Sequence, residues 1–356
     1  MLRELSCLRL QPNLITYNAN ITACGRSSEW QQSLALLQEA QHRSLQPDCT
    51  SYNATFTACE RGSAVQVASE VLSHMHASAI PADLYTYNAN ISACGKDARW
   101  ELATSILFAL PKQTQPDAVT YGAALSACEK ASQWLAAVAL LRTMSLTRLH
   151  PNVIVYSTSI SACAKSSQWQ SALHILQELK ALVLKADVVA YSAAISACKK
   201  GAAWQSALDL LVHMKRYGPQ PNIVSYTANM NACERGSQWR LALQLLQELR
   251  GRSLQPTLVT YGAVMTSCAR GSLWQYAMAV LDEMRDAAVS PDSLVFSACA
   301  GACRRGSQGQ LALLLDQMLL ECMCHVCRES LLATTDLLVA ACKHAAKSLH
   351  TAGSCT

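Results

Sequence analysis

Apolar residues recur along the chain at helical spacing, in short stretches separated by polar turns. In one stretch Tyr191, Ile195 and Cys198 fall at i, i+4 and i+7, so they share one face of a helix. A polar break at residues 201–202 follows, and a second apolar stripe then runs through Trp204, Ala207, Leu208, Leu211 and Met214. The pattern predicts two amphipathic helices joined by a short turn.

This helix–turn–helix pattern repeats along the chain. Seven of the eight intervals between its marker aromatics are 35 residues and one is 34. The aromatic column comprises Tyr17, Tyr52, Tyr87, Tyr121, Tyr156, Tyr191, Tyr226, Tyr261 and Phe296. So strict a period predicts supersecondary units that each pack on their neighbours. The predicted fold class is therefore all-α, an α-solenoid or superhelix of stacked helix-turn-helix hairpins.

The period divides the sequence into three predicted parts. Residues 1–14 align with the end of a repeat, 15–332 hold nine tandem repeats, and 333–356 form a degenerate terminal repeat or tail. The repeats start near residues 15, 50, 85, 119, 154, 189, 224, 259 and 294, and the last is degenerate. Met1 falls inside a second helix, which fits either a capping half-repeat or a truncated start. We favour truncation.

Two further columns are predicted to serve packing. Tryptophan opens the second helix at positions 30, 100, 134, 169, 204, 239 and 274, and cysteine follows the aromatic by seven residues in every repeat. Because small and aliphatic residues continue the same faces, core packing is favoured over a tryptophan binding platform. No signal peptide precedes the cysteines, so we expect reduced thiols in an intracellular compartment.

Composition narrows the classes of partner. Apolar residues make up 51% of the chain, but no run of 18 is uninterrupted, so we predict no membrane partner. The net charge is +5, a mild basic bias that permits an anionic partner.

Three columns are small or polar in every repeat. Directly after the aromatic come Asn18, Asn53, Asn88, Gly122, Ser157, Ser192, Thr227, Gly262 and Ser297. Four residues before it come Asn13, Asp48, Asp83, Asp117, Asn152, Asp187, Asn222, Thr257 and Asp292. Nine residues after it come Arg26, Arg61, Lys96, Lys130, Lys165, Lys200, Arg235, Arg270 and Arg305.

Each column alone has a purely structural explanation. Asp, Asn and Thr cap helix N-termini, and a cation at a helix C-terminus complements the helix dipole. Stacking, however, aligns each column along one edge of the solenoid. A row of hydrogen-bonding groups beside a row of cations suits a polymer with one base and one negative charge per step, which is a single-stranded nucleic acid.

The repeat, with V-x-Y-[N/S/T]-x-x-I-S-A-C-x-K, then A-L-x-L-L-x-x-M, then P-[D/N], strongly resembles the pentatricopeptide repeat family. The resemblance covers about residues 15–334. The family's usual glycine near the end of the unit is mostly missing, and tryptophan replaces its usual aliphatic residue at the start of the second helix. The resemblance implies a superhelix that binds single-stranded RNA, one nucleotide per repeat, with its amino end toward the RNA 5′ end.

The resemblance also implies roles for the three columns. The residue after the aromatic and the Asp, Asn or Thr before the next aromatic would select the base, and we call the two a base-selecting pair. The pairs are Asn18 with Asp48, Asn53 with Asp83, Asn88 with Asp117, Gly122 with Asn152, Ser157 with Asp187, Ser192 with Asn222, Thr227 with Thr257, and Gly262 with Asp292. The cation column would contact phosphates.

A base would also be sandwiched by the residue two before the aromatic. These residues are Ile15, Val119, Ile154, Val189, Val224 and Val259, with Thr50, Tyr85 and Leu294 at the same position elsewhere. The first three pairs imply uracil, the Ser157 pair guanine and the Ser192 pair adenine, so the expected site is U-U-U-x-G-A-x-x. The Gly122, Thr227 and Gly262 pairs imply no particular base.

No catalytic motif or cofactor is predicted, so we do not expect an enzyme. The sequence has no Walker loop, no G-x-S-x-G elbow and no zinc-deaminase signature. Cys322, Cys324, His325 and Cys327 form one crowded cluster, whereas zinc sites typically use paired, well-separated C-x-x-C motifs. We therefore predict no metal site.

One alternative is a protein-binding scaffold similar to tetratricopeptide repeats. A peptide groove should vary and carry hydrophobic anchors, whereas this chain keeps a small residue and a cation in every repeat. By resemblance the protein is expected to act in organellar RNA processing, stability, editing or translation, in a mitochondrion or plastid. A separate RNA-processing or editing enzyme is a further expected partner.

Overall fold

The computed structural model describes residues 12–111, 114–147, 149–182 and 184–323. Within these ranges the chain forms helices joined by short turns, in pairs that follow the predicted repeat. The helices are α1 Leu14–Ser27, α2 Trp30–His42, α3 Cys49–Arg61, α4 Val65–Ala77, α5 Leu84–Lys96, α6 Trp100–Phe108, α7 Ala118–Lys130, α8 Trp134–Leu146, α9 Val153–Lys165, α10 Trp169–Ala181, α11 Val188–Lys200, α12 Trp204–Tyr217, α13 Ile223–Arg235, α14 Trp239–Gly251, α15 Leu258–Arg270, α16 Trp274–Asp286, α17 Ser293–Arg305 and α18 Gly309–Met323. Odd-numbered helices are the first helix of a hairpin and even-numbered helices the second.

Every first helix begins at the capping residue that the sequence indicates. The side chain of that residue accepts the backbone N–H three positions on, as in Asp83 with Thr86 at 2.8 Å and Asp187 with Ala190 at 2.8 Å. Thr257 makes the longest such bond, at 3.4 Å to the N–H of Thr260. A cap of this kind contributes about 1 kcal/mol because it satisfies a helix-end N–H that has no partner within the helix.

Every first helix also ends in the same way. The carbonyl of the repeated cysteine accepts the N–H of the residue five positions on, for example Cys233 from Gln238 at 2.8 Å. The residue before that donor has a left-handed backbone, and it is serine or alanine in every hairpin, as in Ser237 with φ 56°. This bond is the Schellman arrangement that closes a helix C-terminus, and it reverses the chain into the second helix.

The hairpins stack through their first helices. In residues 1–190, α3 packs between α1 and α5, and α7 packs between α5 and α9. In residues 191–356, α15 packs between α13 and α17. Each of these two compact units is therefore an α-solenoid, and the all-α fold class predicted from the sequence is confirmed.

The aromatic and cysteine columns form the core of each stack. All nine aromatics are buried, with Tyr52, Tyr226 and Tyr261 at 0% exposure. Eight of the nine cysteines are buried free thiols, while Cys24 in the first hairpin is half-buried. Burial raises the pKa of Cys59 and Cys268 to about 11, so these thiols are neutral and serve packing, as the sequence indicates.

The tryptophans differ from the core residues that the sequence predicts. All seven are half-buried rather than buried. The indoles of Trp30, Trp204 and Trp274 rest on the glycine that ends the first helix of the next repeat: Gly62, Gly236 and Gly306. These three rings therefore cover the next turn, and they approach so closely that a Cβ at the glycine would force the ring or the turn to shift.

Among the helices described here, none combines the length and the continuous apolar surface that a membrane-spanning segment requires.

Candidate nucleic-acid interface

The two members of a base-selecting pair meet across neighbouring repeats. Asn18 Nδ2 donates to Asp48 Oδ1 at 3.2 Å, and Asn53 Nδ2 donates to Asp83 Oδ2 at 3.3 Å. The same contact recurs further along, where Ser157 Oγ donates to Asp187 Oδ1 at 3.1 Å. Residues thirty positions apart in sequence are thus brought together because successive first helices pack side by side.

Other pairs differ in detail. Asn88 lies close enough to Asp117 to help lower the pKa of that carboxyl, while its own buried Oδ1 has no partner among the described residues. Gly122 and Gly262 have no side chain, and a Cβ at Gly122 would meet nothing within 4 Å.

Among the described residues of the second unit, Ser192 and Thr227 make no direct bond to the other member of their pair. Ser192 Oγ lies 3.2 Å from Ser225 Oγ, and Thr227 Oγ1 lies 2.9 Å from Thr260 Oγ1. These partners are hydroxyls one residue before the aromatic rather than the predicted partners Asn222 and Thr257. Here one hydroxyl lies within hydrogen-bond distance of both members of the pair and links them indirectly.

This intermediate position was not predicted from the sequence. The residue before the aromatic is a hydroxyl residue in six of the nine repeats: Thr16, Ser51, Thr86, Thr120, Ser225 and Thr260. Such a column was visible in the sequence, but β-branched residues and serine are common in first turns. Only the packing of neighbouring repeats places four of these hydroxyls, those of Ser51, Thr86, Ser225 and Thr260, between the members of a pair.

Hydrogen bonds favour the charged form of three pair aspartates, Asp48, Asp83 and Asp117. Burial raises the pKa of Asp48, but bonds from Thr50, Ser51 and Asn18 more than offset this and lower the pKa to about 2. The pKa values of Asp83 and Asp117 are lowered in the same way, mainly by bonds from Thr86 and Thr120 against the effect of burial. These carboxylates can therefore only accept hydrogen bonds at neutral pH.

One carboxylate oxygen of Asp48 remains available. The bonds from Asn18, Thr50 and Ser51 all reach Oδ1, and Oδ2 has no hydrogen-bond partner among the described residues. Asp187 resembles it, since Ala190 N and Ser157 Oγ both bond to Oδ1. A ligand that presents an N–H group would find an acceptor there.

The predicted sandwich residues project into solvent despite being apolar. The six named from the sequence are between 54% and 76% exposed, at Val224 and Ile15 respectively. Tyr85 and Leu294, at the same position in other repeats, are 56% and 59% exposed. Because these side chains are not used in the core, they form an apolar surface beside the hydrogen-bonding pairs.

All nine side chains of the cation column are exposed. Arg61, Arg235 and Arg270 each donate to a backbone carbonyl at the end of the preceding first helix, at 3.3–3.4 Å. Arg270 also pairs with Glu234 at 3.2 Å, and Lys165 pairs with Glu129 at 3.1 Å. These cations complement the helix ends of the neighbouring repeat.

Four other cations of the column lack such a partner. They make no hydrogen bond or ion pair with any residue in the ranges described, and they are Arg26, Lys96, Lys130 and Arg305. The column is therefore divided between side chains engaged by the protein and side chains available to an anion.

The cysteine–histidine cluster lies at the end of the described chain. Cys322 falls within α18, and Cys324, His325 and Cys327 lie outside the described residues. Among residues 12–323, apart from the gaps, no group of three His, Cys, Asp or Glu side chains is arranged to hold a metal ion.

Two family models match the sequence. The model described as pentatricopeptide repeat domain matches residues 35–97, 111–166, 174–235, 209–271 and 244–305, and the model described as PPR repeat matches residues 154–182. The comparison with curated proteins found no match.

Solved structures with the same fold include the pentatricopeptide repeat protein PPR10 from maize. That crystal structure is 23% identical, with a TM-score of 0.60, and the match covers 88% of this chain and 50% of that chain. A structure of PPR10 in complex with an 18-nt psaJ RNA element is 20% identical, with a TM-score of 0.56, and the match covers 90% of this chain and 52% of that chain. The chain thus spans about half the length of these structures.

Proposed function

The chain belongs to the pentatricopeptide repeat family, and from this premise we propose that it binds single-stranded RNA with one nucleotide per repeat. The observation that carries the proposal is the contact between the members of a base-selecting pair, seen in Asn18 with Asp48 at 3.2 Å. The related PPR10 structure contains an 18-nt RNA, which supports RNA as the ligand class.

The exposed surface beside the pairs supports the same ligand. An aliphatic side chain such as Ile154, 69% exposed, offers an apolar surface to the face of a base, while the neighbouring pair offers hydrogen bonds to the base edge. The four cations without a described partner supply charge for phosphates. A protein-binding scaffold gives no reason for this combination at successive repeats.

The negative charge of the aspartates favours bases that can donate a hydrogen bond to them. A carboxylate only accepts, so it suits uracil and guanine, which present an N–H at the centre of the Watson–Crick edge. Asparagine can donate, so Asn222 suits adenine or cytosine, which present a ring nitrogen acceptor there. The proposed site is U-U-U-x-G-A-x-x, where x denotes the pairs of Gly122, Thr227 and Gly262.

The cellular role is proposed from family membership. We place the protein in a mitochondrion or plastid, where it would act on an organellar transcript in processing, stability, editing or translation. It would act by binding rather than by catalysis, and a separate enzyme would perform any chemistry on the RNA.

The proposal is tested by selection from a random RNA pool with the purified chain. We expect enrichment of a uracil run 5′ to a guanine-adenine step. Changing Asn18, Asn53 and Asn88 together to serine should move the preferred bases at those nucleotides from uracil toward guanine, because serine with aspartate is the combination of Ser157 and Asp187.

Asn20→Ser is the matched control. The Asn20 amide donates to the carbonyl of Thr16 within its own helix at 2.7 Å, so this change should leave the selected sequence unaltered. Absence of any enrichment at low salt, from protein with a normal helical circular-dichroism spectrum, would contradict RNA binding and favour a protein partner.

A further inference from the structure

A buried hydroxyl lies between both members of the first two base-selecting pairs. Ser51 Oγ is 2.6 Å from Asn18 Oδ1 and 2.8 Å from Asp48 Oδ1. Thr86 Oγ1 is 2.6 Å from Asn53 Oδ1 and 2.7 Å from Asp83 Oδ1. Ser51 is 1% exposed and Thr86 is fully buried, so neither hydroxyl can itself touch a bound base.

The second unit contains the same arrangement. Ser225 Oγ lies 3.2 Å from Ser192 Oγ and 3.0 Å from Asn222 Oδ1. Thr260 Oγ1 lies 2.9 Å from Thr227 Oγ1 and 3.0 Å from Thr257 Oγ1. The hydroxyl therefore connects a pair both where its members bond directly and where they do not.

The hydroxyl is absent where the first member of the pair has no side chain to orient. Where the pair begins with glycine, the next repeat has valine at this position, as in Gly122 with Val155 and Gly262 with Val295. A glycine has no side chain to orient, so a hydroxyl there would have no function. The exception is Ser157, which Ala190 follows and which bonds to its aspartate directly.

The hydroxyl settles which way an asparagine amide points. The Asp83 carboxylate already accepts the backbone N–H of Thr86 at 2.8 Å, so the single Oγ1 proton of Thr86 can go to Asn53 Oδ1, and the acceptor end of the amide is then occupied on the buried side. The NH2 end then faces Asp83, 3.3 Å away, and the exposed surface. Such an amide turns donors rather than an acceptor toward the ligand, and a uracil carbonyl would replace its weak 3.5 Å contact with Cys49 Sγ, whereas the amino group of cytosine would face another donor.

We propose that Ser51 and Thr86 are positioning residues that hold the amides of Asn18 and Asn53 as hydrogen-bond donors and so make these repeats prefer uracil over cytosine. The inference rests on the proposed RNA binding and adds a third residue to the specificity of each repeat. At the third pair, Thr120 bonds to Asp117 at 2.8 Å and the Asn88 acceptor is unpartnered, so we expect a weaker preference there.

Thr86→Val tests the proposal, because it removes the hydroxyl with little change in shape and valine already occupies this position in other repeats. Equilibrium affinities are measured for two RNAs that differ only in uracil or cytosine at the second nucleotide of U-U-U-x-G-A-x-x. The ratio of the two affinities should fall by about tenfold in the variant, the scale of one well-placed base contact. Thr86→Ser should restore it, and the ratio at the first nucleotide should not change.

Each other result has a definite meaning. Equal weakening for both RNAs would show that Thr86 has only a structural role and would overturn the proposal. A wild-type protein with no base preference at any nucleotide would instead contradict the proposed function itself. If Thr86→Val does not fold, Ser51→Ala measured at the first nucleotide makes the same comparison.

Discussion

At the scale of single residues, one capping side chain can serve two neighbouring repeats. Asp48 accepts the N–H of Ser51 at 2.9 Å, which caps its own helix, and also accepts the amide of Asn18 from the repeat before. The sequence offered capping and base selection as alternative explanations of this column. The geometry makes them compatible, because both bonds reach Oδ1 and leave Oδ2 for a ligand.

The contact between a tryptophan and the next turn predicts a cost for any added side chain at Gly236. A Cβ built there would lie 2.3 Å from Trp204 Cδ1, although the backbone itself, with φ −80°, accepts any residue. We expect Gly236→Ala to lower the free energy of unfolding by about 1–3 kcal/mol through overpacking. Thermal and urea denaturation followed by circular dichroism would measure it.

Gly251→Ala is the control for this prediction, since a Cβ at Gly251 meets nothing within 4 Å. That change should be neutral or slightly stabilising because alanine favours the helix. Adding Trp204→Leu to Gly236→Ala should recover part of the lost stability. Equal effects of the two glycine changes would mean that the indole moves aside without cost.

At the scale of the helix, contacts between first helices contain a polar group without a partner. Asn90 lies in α5 with 0% exposure, and both its amide atoms lack a hydrogen-bond partner among the described residues. Ala124 and Ala194 occupy the same position in other repeats, so a small apolar residue fits there. Asn90 thus weakens the stack at this point.

We therefore expect Asn90→Ala to raise the free energy of unfolding by about 1 kcal/mol, because an unsatisfied buried amide costs about 1–3 kcal/mol and the lost packing offsets part of that gain. Differential scanning calorimetry would measure the change. Asn229→Ala is the comparison: Asn229 is equally buried but donates to the carbonyl of Ser225 at 2.9 Å, so its removal should help less or destabilise. A destabilised Asn90→Ala variant would contradict the prediction.

Much of each hairpin could be predicted from the sequence because its determinants are local. The face shared by Tyr191 and Cys198 and the cap at Asp187 depend on neighbours within one helix. The function of Ser51 could not be predicted, because it depends on Asn18 in the preceding repeat. The same holds for Trp204, which the sequence assigns to the core of its own hairpin but which covers Gly236 in the next one.

At the scale of the whole molecule, the net charge of +5 does not identify the surface that attracts an anion. The exposed cation column does, but its members differ. Arg270 is held by Glu234, whereas Lys130 makes no hydrogen bond or ion pair with any residue that the structure describes. A count of basic residues therefore overstates the charge that each of the two units can offer to RNA.

This difference predicts unequal salt effects on RNA affinity. Lys130→Gln should lower the slope of log affinity against log salt by about 0.7, the value for one released counterion on a single strand, without changing the melting temperature. Arg270→Gln should change the slope less and lower the melting temperature slightly, because it loses its bonds to Glu234 rather than to a phosphate. Titrations between about 50 and 200 mM salt resolve such slopes. If both variants lowered the slope equally, Arg270 would have to leave Glu234 when RNA binds, and the ion pairs between repeats would then break as part of binding.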